Sequence, residues 1–182
     1  MLPINIPERE YWNEKKQEFV MVKSCKLLLE HSLISISKWE SKWKKPFLSK
    51  DPKTHEESQD YVRCMTLNKD VDPLVYYSLT PNDYNKISEY IDDTMTATWF
   101  NDAANQNHHR SQQVITSELI YYWMVAYNIP FECEKWHLNR LLTLVKICDI
   151  KNSPKKKMGK KQIYDQQRKL NDARRQRLGT SG

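Results

Sequence analysis

Glycine is nearly missing from this 182-residue chain. Its only three are Gly159, Gly179 and Gly182, so residues 1–158 contain none. Hairpin turns that depend on glycine and glycine-rich phosphate loops are therefore excluded from the body, and positive-φ turns fall to Asn or Asp. Recognised catalytic patterns are missing as well: there is no Gly-x-Ser-x-Gly, Walker loop, His-Glu-x-x-His or Rossmann glycine run. The expectation is a protein that is not an enzyme and takes no cofactor. Cys25, Cys64, Cys133 and Cys148 are scattered, with no Cys-x-x-Cys among them. No secretory signal is expected before them, because the stretch from Leu2 to Pro7 is too short and too interrupted for one. Free thiols in a reducing cytoplasm are expected. The apolar run at 119–127 falls well short of the roughly 20 residues that span a membrane, so no membrane partner is expected.

Aromatic residues, by contrast, are plentiful. Six Trp and ten Tyr supply enough large apolar surface for a core in a chain long enough for one domain plus a tail. Charge is divided unevenly. Residues 151–182 hold eleven Lys or Arg against Asp165 and Asp172, a net of +9; the totals of 29 basic and 23 acidic then leave residues 1–150 with 18 and 21, a net of −3. A mildly acidic body at 1–150 and a basic arm at 151–182 follow.

Residues 112–150 are the longest apolar region. Ile115, Leu119, Tyr122, Trp123 and Ala126 recur at helical spacing, then Trp136, Leu141, Leu144, Val145 and Cys148 do the same, with Pro130 between. The pattern predicts an αα-hairpin whose two apolar faces close on each other. Upstream, Leu2 to Pro7 is extended. Arg9-Glu-Tyr-Trp-Asn and Glu18-Phe-Val-Met-Val-Lys, parted by a polar Asn-Glu-Lys-Lys-Gln, read as a β-hairpin, and Cys25 to Glu30 as a further strand, so the β region covers about residues 1–31. Ser32 caps a helix bearing Leu33, Ile36, Trp39, Glu40 and Trp43, ended by Pro46; the two Trp are expected to bury together. Thr54-His-Glu-Glu57 is a capping box opening a helix with Tyr61, Val62, Cys64 and Met65. Asp72-Pro73 and Thr80-Pro-Asn-Asp83 open two more, the second with Tyr84, Ile87, Tyr90 and Ile91 inside. Met95 to Phe100 is a short strand or an extended connector packed on the core, and residues 101–110 a polar loop. Gln162 to Leu178 is a last helix with a thin stripe of Ile163, Leu170 and Ala173. The fold class is mainly α (α+β): a small helical domain with an N-terminal β-hairpin or meander and a basic C-terminal helical arm.

Four constellations carry chemistry. Cys133-x-x-x-His137 with Cys148, near His108-His109, has metal-ligand residue types, but it lacks paired close-spaced ligands, and Cys148 lies on an apolar stripe; core cysteines are the better reading. His108, His109 and Arg110 have the residue types for proton transfer or phosphate binding, though a chance pair in a loop is commoner. The arm's Lys155, Lys156, Lys157, Lys160, Lys161, Arg168, Arg174, Arg175 and Arg177 suit phosphates or an acidic protein surface; with only Tyr164 among them, stacking on single strands is disfavoured and a protein partner preferred. Tyr121, Tyr122, Trp123 and Tyr127 occupy more than one helical face, which marks a central helix or one with a strip left open for a partner's amphipathic helix.

The segments Leu29-Glu-His-Ser-Leu-Ile-Ser-Ile-Ser-Lys-Trp-Glu-Ser-Lys-Trp43, Met95-Thr-Ala-Thr98, Ile115-Thr-Ser-Glu-Leu-Ile-Tyr-Tyr-Trp-Met124 and Ile129-Pro-Phe-Glu-Cys-Glu-Lys-Trp-His-Leu-Asn-Arg-Leu-Leu142 resemble a family encoded by tailed bacteriophages near the tape-measure gene, regarded as tail assembly chaperones. The resemblance runs over nearly the whole chain. It implies a non-enzymatic role in the host cytoplasm, binding the tape-measure protein or other tail proteins through shallow apolar grooves, with self-association open. The contact residues expected are Trp39, Trp43, Tyr122 and Trp123, with the basic arm as a second attachment. The alternatives are a tail or baseplate subunit retained in the virion, and a nucleic-acid-binding protein acting through the arm.

Overall fold

The computed structural model describes residues 1–13, 17–98, 100 and 114–153, and in the C-terminal segment 164, 167, 168, 170–172, 174, 175 and 179. Two compact units divide it, Met1–Cys148 and Asp149–Gly182. The first is mainly helical with a small antiparallel β element.

Four strands, β1 (Leu2–Ile6), β2 (Arg9–Asn13), β3 (Glu18–Val22) and β4 (Cys25–Leu29), begin the chain. β1 pairs with β4 and β2 with β3 in one shared register: Leu2 faces Leu29, Ile6 faces Cys25, and Arg9 faces Val22. Each pair of numbers sums to 31, so the two ladders are one long ribbon interrupted once, where Pro7 has no N–H to donate. In the first ladder the pleat puts Ile4, Ile6, Leu27 and Leu29 on one buried face. Past the break the buried face changes: Val22, opposite Arg9, is buried, whereas Trp12, Phe19 and Met21 near the tip are exposed. Later in the sequence the chain covers the far edge of β4: Leu67 N–H donates to Leu28 C=O (2.9 Å) and the Asn68 side chain bonds Leu28 N–H and Lys26 C=O.

The helices are α1 (Leu33–Trp43), α2 (His55–Met65), α3 (Pro73–Tyr77), α4 (Pro81–Asp92), α5 (Ser117–Ala126) and α6 (Leu138–Asn152), with a 3-10 helix at Phe131–Lys135. Their starts are set locally. Thr54 Oγ1 accepts from Glu57 N–H while Glu57 Oε2 accepts from Thr54 N–H (2.8 Å), and Thr80 with Asp83 repeats the arrangement. Where glycine would normally end a helix, other residues enter the left-handed region: Lys44 (φ 56) after α1 and Asn128 (φ 53) after α5, with Gln17, Asp70 and Met95 elsewhere. Asn and Asp therefore do not carry all such positions, as the composition had led us to expect. After α5 the Ile129 and Asn128 amides return to Met124 C=O and Val125 C=O, a Schellman closure with Asn where Gly is usual.

Two expectations need correction. The buried residues of α5 are Ser117, Ile120 and Met124, not the face of Ile115, Leu119, Tyr122, Trp123 and Ala126, and α5 packs chiefly on α1 instead of closing on α6. The second-half stripe holds better, with Leu141 and Val145 buried and Leu144, Trp136 and Cys148 half-buried against the core. Residues 93–98 form no strand; Met95, Ala97 and Thr98 are exposed, while Thr96 and Phe100 are half-buried, the Phe100 ring under the Lys146 ammonium of α6 (4.0 Å). Trp99, the loop 101–110, Ile163 and Ala173 lie outside the described residues.

Candidate partner-binding surface

The tryptophans of α1 are structural ties. Trp39 is 1% exposed, and its Nε1–H donates to Glu57 C=O of α2 (2.9 Å). Half-buried Trp43 donates to Asp60 Oδ2 (3.0 Å), and the same carboxylate takes Lys42 Nζ at 2.5 Å. A buried indole must place its N–H on an acceptor, and both acceptors here belong to α2. Trp39 is thus withdrawn from the expected contact surface, and Trp43 offers only part of its ring. Trp123 is likewise half-buried against the core.

Tyr122 is different. Thr116 Oγ1 caps α5 by accepting from Leu119 N–H, and buried Glu40 reaches across from α1 so that its Oε2 accepts from Ser117 N–H (2.7 Å). These bonds and the packing of Ile120 and Met124 fix the rotation of α5. They leave Glu118, Tyr122, Val125 and Ala126 in one outward stripe at steps of four, three and one. Tyr122 is 64% and Val125 60% exposed. Beyond the turn, exposed Phe131 lies 6.4 Å from the Tyr121 ring, whose hydroxyl donates to Glu134 Oε2 (2.8 Å). Burial first, then the Glu134 carboxylate, pushes the Tyr121 hydroxyl up to about 12.

A second apolar surface sits on the ribbon, where Trp12 and Phe19 are cross-strand partners in edge-to-face contact (4.9 Å) beside exposed Met21. Sequence reasoning passed over these residues. The signal was present: with Val20 and Val22 turned inward, alternation puts Phe19 and Met21 outward, and the register carries Trp12 with them.

The groups with catalytic or metal-binding residue types are not assembled. No cluster of three His, Cys, Asp or Glu able to hold a metal occurs among the described residues, so Cys133, His137 and Cys148 do not form one. Burial pushes the Cys64 thiol up to about 11 and raises Cys133 as well. His31 and His137 face each other at 5.0 Å inside the core; His31 Nδ1 pairs with the Tyr61 hydroxyl (2.5 Å) and His137 Nε2 with Tyr90 C=O (2.9 Å). In the arm, Arg168, Arg174 and Arg175 are exposed helical residues. Lys155, Lys156, Lys157, Lys160, Lys161 and Arg177, like His108, His109 and Arg110, lie outside the described residues. No described helix is long and apolar enough to cross a membrane. Comparison with family models, curated proteins and solved structures gives no match to this chain.

Proposed function

We propose that this chain is a non-enzymatic phage tail morphogenesis protein, a chaperone that holds an apolar helical stripe of the tape-measure protein until the tail tube takes it over. The observation that carries the reading is the outward stripe of α5: Tyr122 and Val125 stay open on a helix whose opposite face is fully buried. Exposed aliphatic and aromatic side chains at helical spacing are what an amphipathic partner helix packs against. A contact of this few side chains falls below the roughly 1,200 Å² of stable complexes, and weakness is required where release is part of the task. The resemblance to tail assembly chaperones supplies the partner. The exposed arginines of the basic arm give a second, salt-sensitive attachment.

Co-expression with a tape-measure fragment tests this. Wild type is expected to keep the fragment soluble, and Tyr122→Ser/Val125→Ser to lose that effect while retaining its own circular dichroism and melting temperature. Equal solubility with both proteins would remove α5 from the contact, and no effect of wild type would remove the chaperone reading.

A further inference from the structure

A cleft of about 330 Å³ lies between α2 and α4, closed at one end by the segment that links α1 to α2. That volume is at the lower end of the roughly 300–1,000 Å³ of small-molecule sites. Phe47, Val62, Ile87 and Ile91 give it apolar walls. Besides Ser58, Asn85 and Ser88, two polar groups of the lining stand out, a cation and a buried hydroxyl.

The first is Lys53. Its ammonium stands 4.3 Å from the Phe47 ring centroid and 5.8 Å from that of Trp39. Among the described residues it has no ion-pair partner within bonding distance. Desolvation lowers the Lys53 pKa, while the charges of Glu57 and Asp51 act the other way. Glu57 is committed elsewhere, its Oε1 to Lys45 (2.5 Å) and its Oε2 to Thr54 N–H (2.8 Å). The aromatic faces and the charges of Glu57 and Asp51 offset part of the lost hydration, yet the ammonium makes no direct ion pair among the described residues. The second feature is Tyr84, another lining residue, whose hydroxyl is buried without a hydrogen-bond partner. A native interior rarely tolerates such a group unless something else satisfies it.

We propose that this cleft binds a small monocarboxylate with an aromatic or branched apolar body. The carboxylate meets Lys53, and the body fills the space between Val62, Ile87 and Ile91. A cationic ligand is repelled by Lys53. A neutral apolar ligand leaves the ammonium unpaired in a drier site than before. The charge is therefore what selects among ligands of equal shape.

Titration of the full-length protein with 3-phenylpropionate, followed by NMR, tests the assignment against its neutral amide. Saturable binding of the acid is expected, with the amide at least about tenfold weaker, the worth of one charge-assisted bond. Lys53→Gln, in a partly exposed loop, is expected to weaken the acid by a similar factor and to erase the preference for it. Ser88→Trp, at an exposed position on the cleft wall, is expected to abolish binding of both. Circular dichroism of both variants checks that the fold survives. Absence of saturable binding to wild type overturns the proposal, as does equal affinity for acid and amide, or binding by Lys53→Gln within twofold of wild type.

Discussion

Tryptophan has two uses in this protein, and what surrounds each ring decides which. Trp39 fills the centre of the core and spends its N–H on a carbonyl of α2; Trp12 lies on the outer side of a two-stranded ribbon, edge-to-face with Phe19. Truncating the first removes a large buried side chain and leaves Glu57 C=O without its indole donor. Trp39→Ala is therefore expected to cost about 3–5 kcal/mol of stability. Trp12→Ala, on a 45% exposed ring, should stay within about 1 kcal/mol. Urea unfolding of the two variants checks the contrast, and similar midpoints would mean that Trp39 is not the anchor its burial indicates. A loss of partner binding in a Trp39 variant consequently reports unfolding before it reports contact.

Elements in this fold are joined by single buried polar groups as much as by apolar faces, and Glu40 is the clearest case. Its Oε1 accepts from Phe47 N–H and its Oε2 from Ser117 N–H, both at 2.7 Å, so one carboxylate holds the end of the α1 connection and the start of α5 together. Glutamine has one acceptor and would aim its amide hydrogens at a second N–H. Glu40→Gln is expected to lose about 2–4 kcal/mol, with faster hydrogen exchange at Ser117 and Phe47; normal protection at both amides would count against the tie. The same residue explains which parts of the fold the sequence disclosed. The capping pairs Thr54 with Glu57 and Thr80 with Asp83 act over three residues, and the ribbon's alternation over two, so pattern alone places those elements. The rotation of α5 depends on Glu40, 77 positions away. Ser117, Ile120 and Met124 could not be chosen in advance because SELIYYWMVA is apolar on nearly every side, and a periodicity argument needs a polar face to exclude. The candidate surface suffered for the same reason: Tyr122 was legible as large and apolar, but whether it was inside or outside was set by a distant carboxylate. Lys53 and Tyr84 were not legible as lining one cleft, since that requires α4 to lie opposite α2 in the fold.

At the scale of the first compact unit, two histidines join what the helices leave apart. His31, between β4 and α1, pairs with Tyr61 of α2 and gives its carbonyl to Leu138 N–H at the start of α6, while His137 holds Tyr90 C=O at the end of α4. Burial, and then the neighbouring His137, drops the His31 imidazole to about 3; burial also lowers His137, against the opposing charges of Asp93 and Glu30. Folded His31 stays neutral where an unfolded imidazole, with its ordinary value near 6.5, takes up a proton. Its contribution to stability is thus complete above about pH 6.5 and is lost as the pH falls from there toward 3. Between pH 7 and pH 5 the loss from His31 alone is about 2 kcal/mol, and His137 adds to it in the same direction. The lowered carboxyls of Glu57 and Glu118 act only below their ordinary value of 4.5, so they do not blur this interval. Because the pair contacts β4, α2, α4 and α6, the acid transition should be global: fluorescence of the buried Trp39 and helical circular dichroism are expected to change together. Denaturant titrations at pH 7 and pH 5 measure the difference, with His31→Gln as the control. The variant begins less stable but should lose less on acidification; a wild-type stability that is flat across this range, or a variant with an unchanged slope, would show that the histidines are not what binds these elements into one cooperative body.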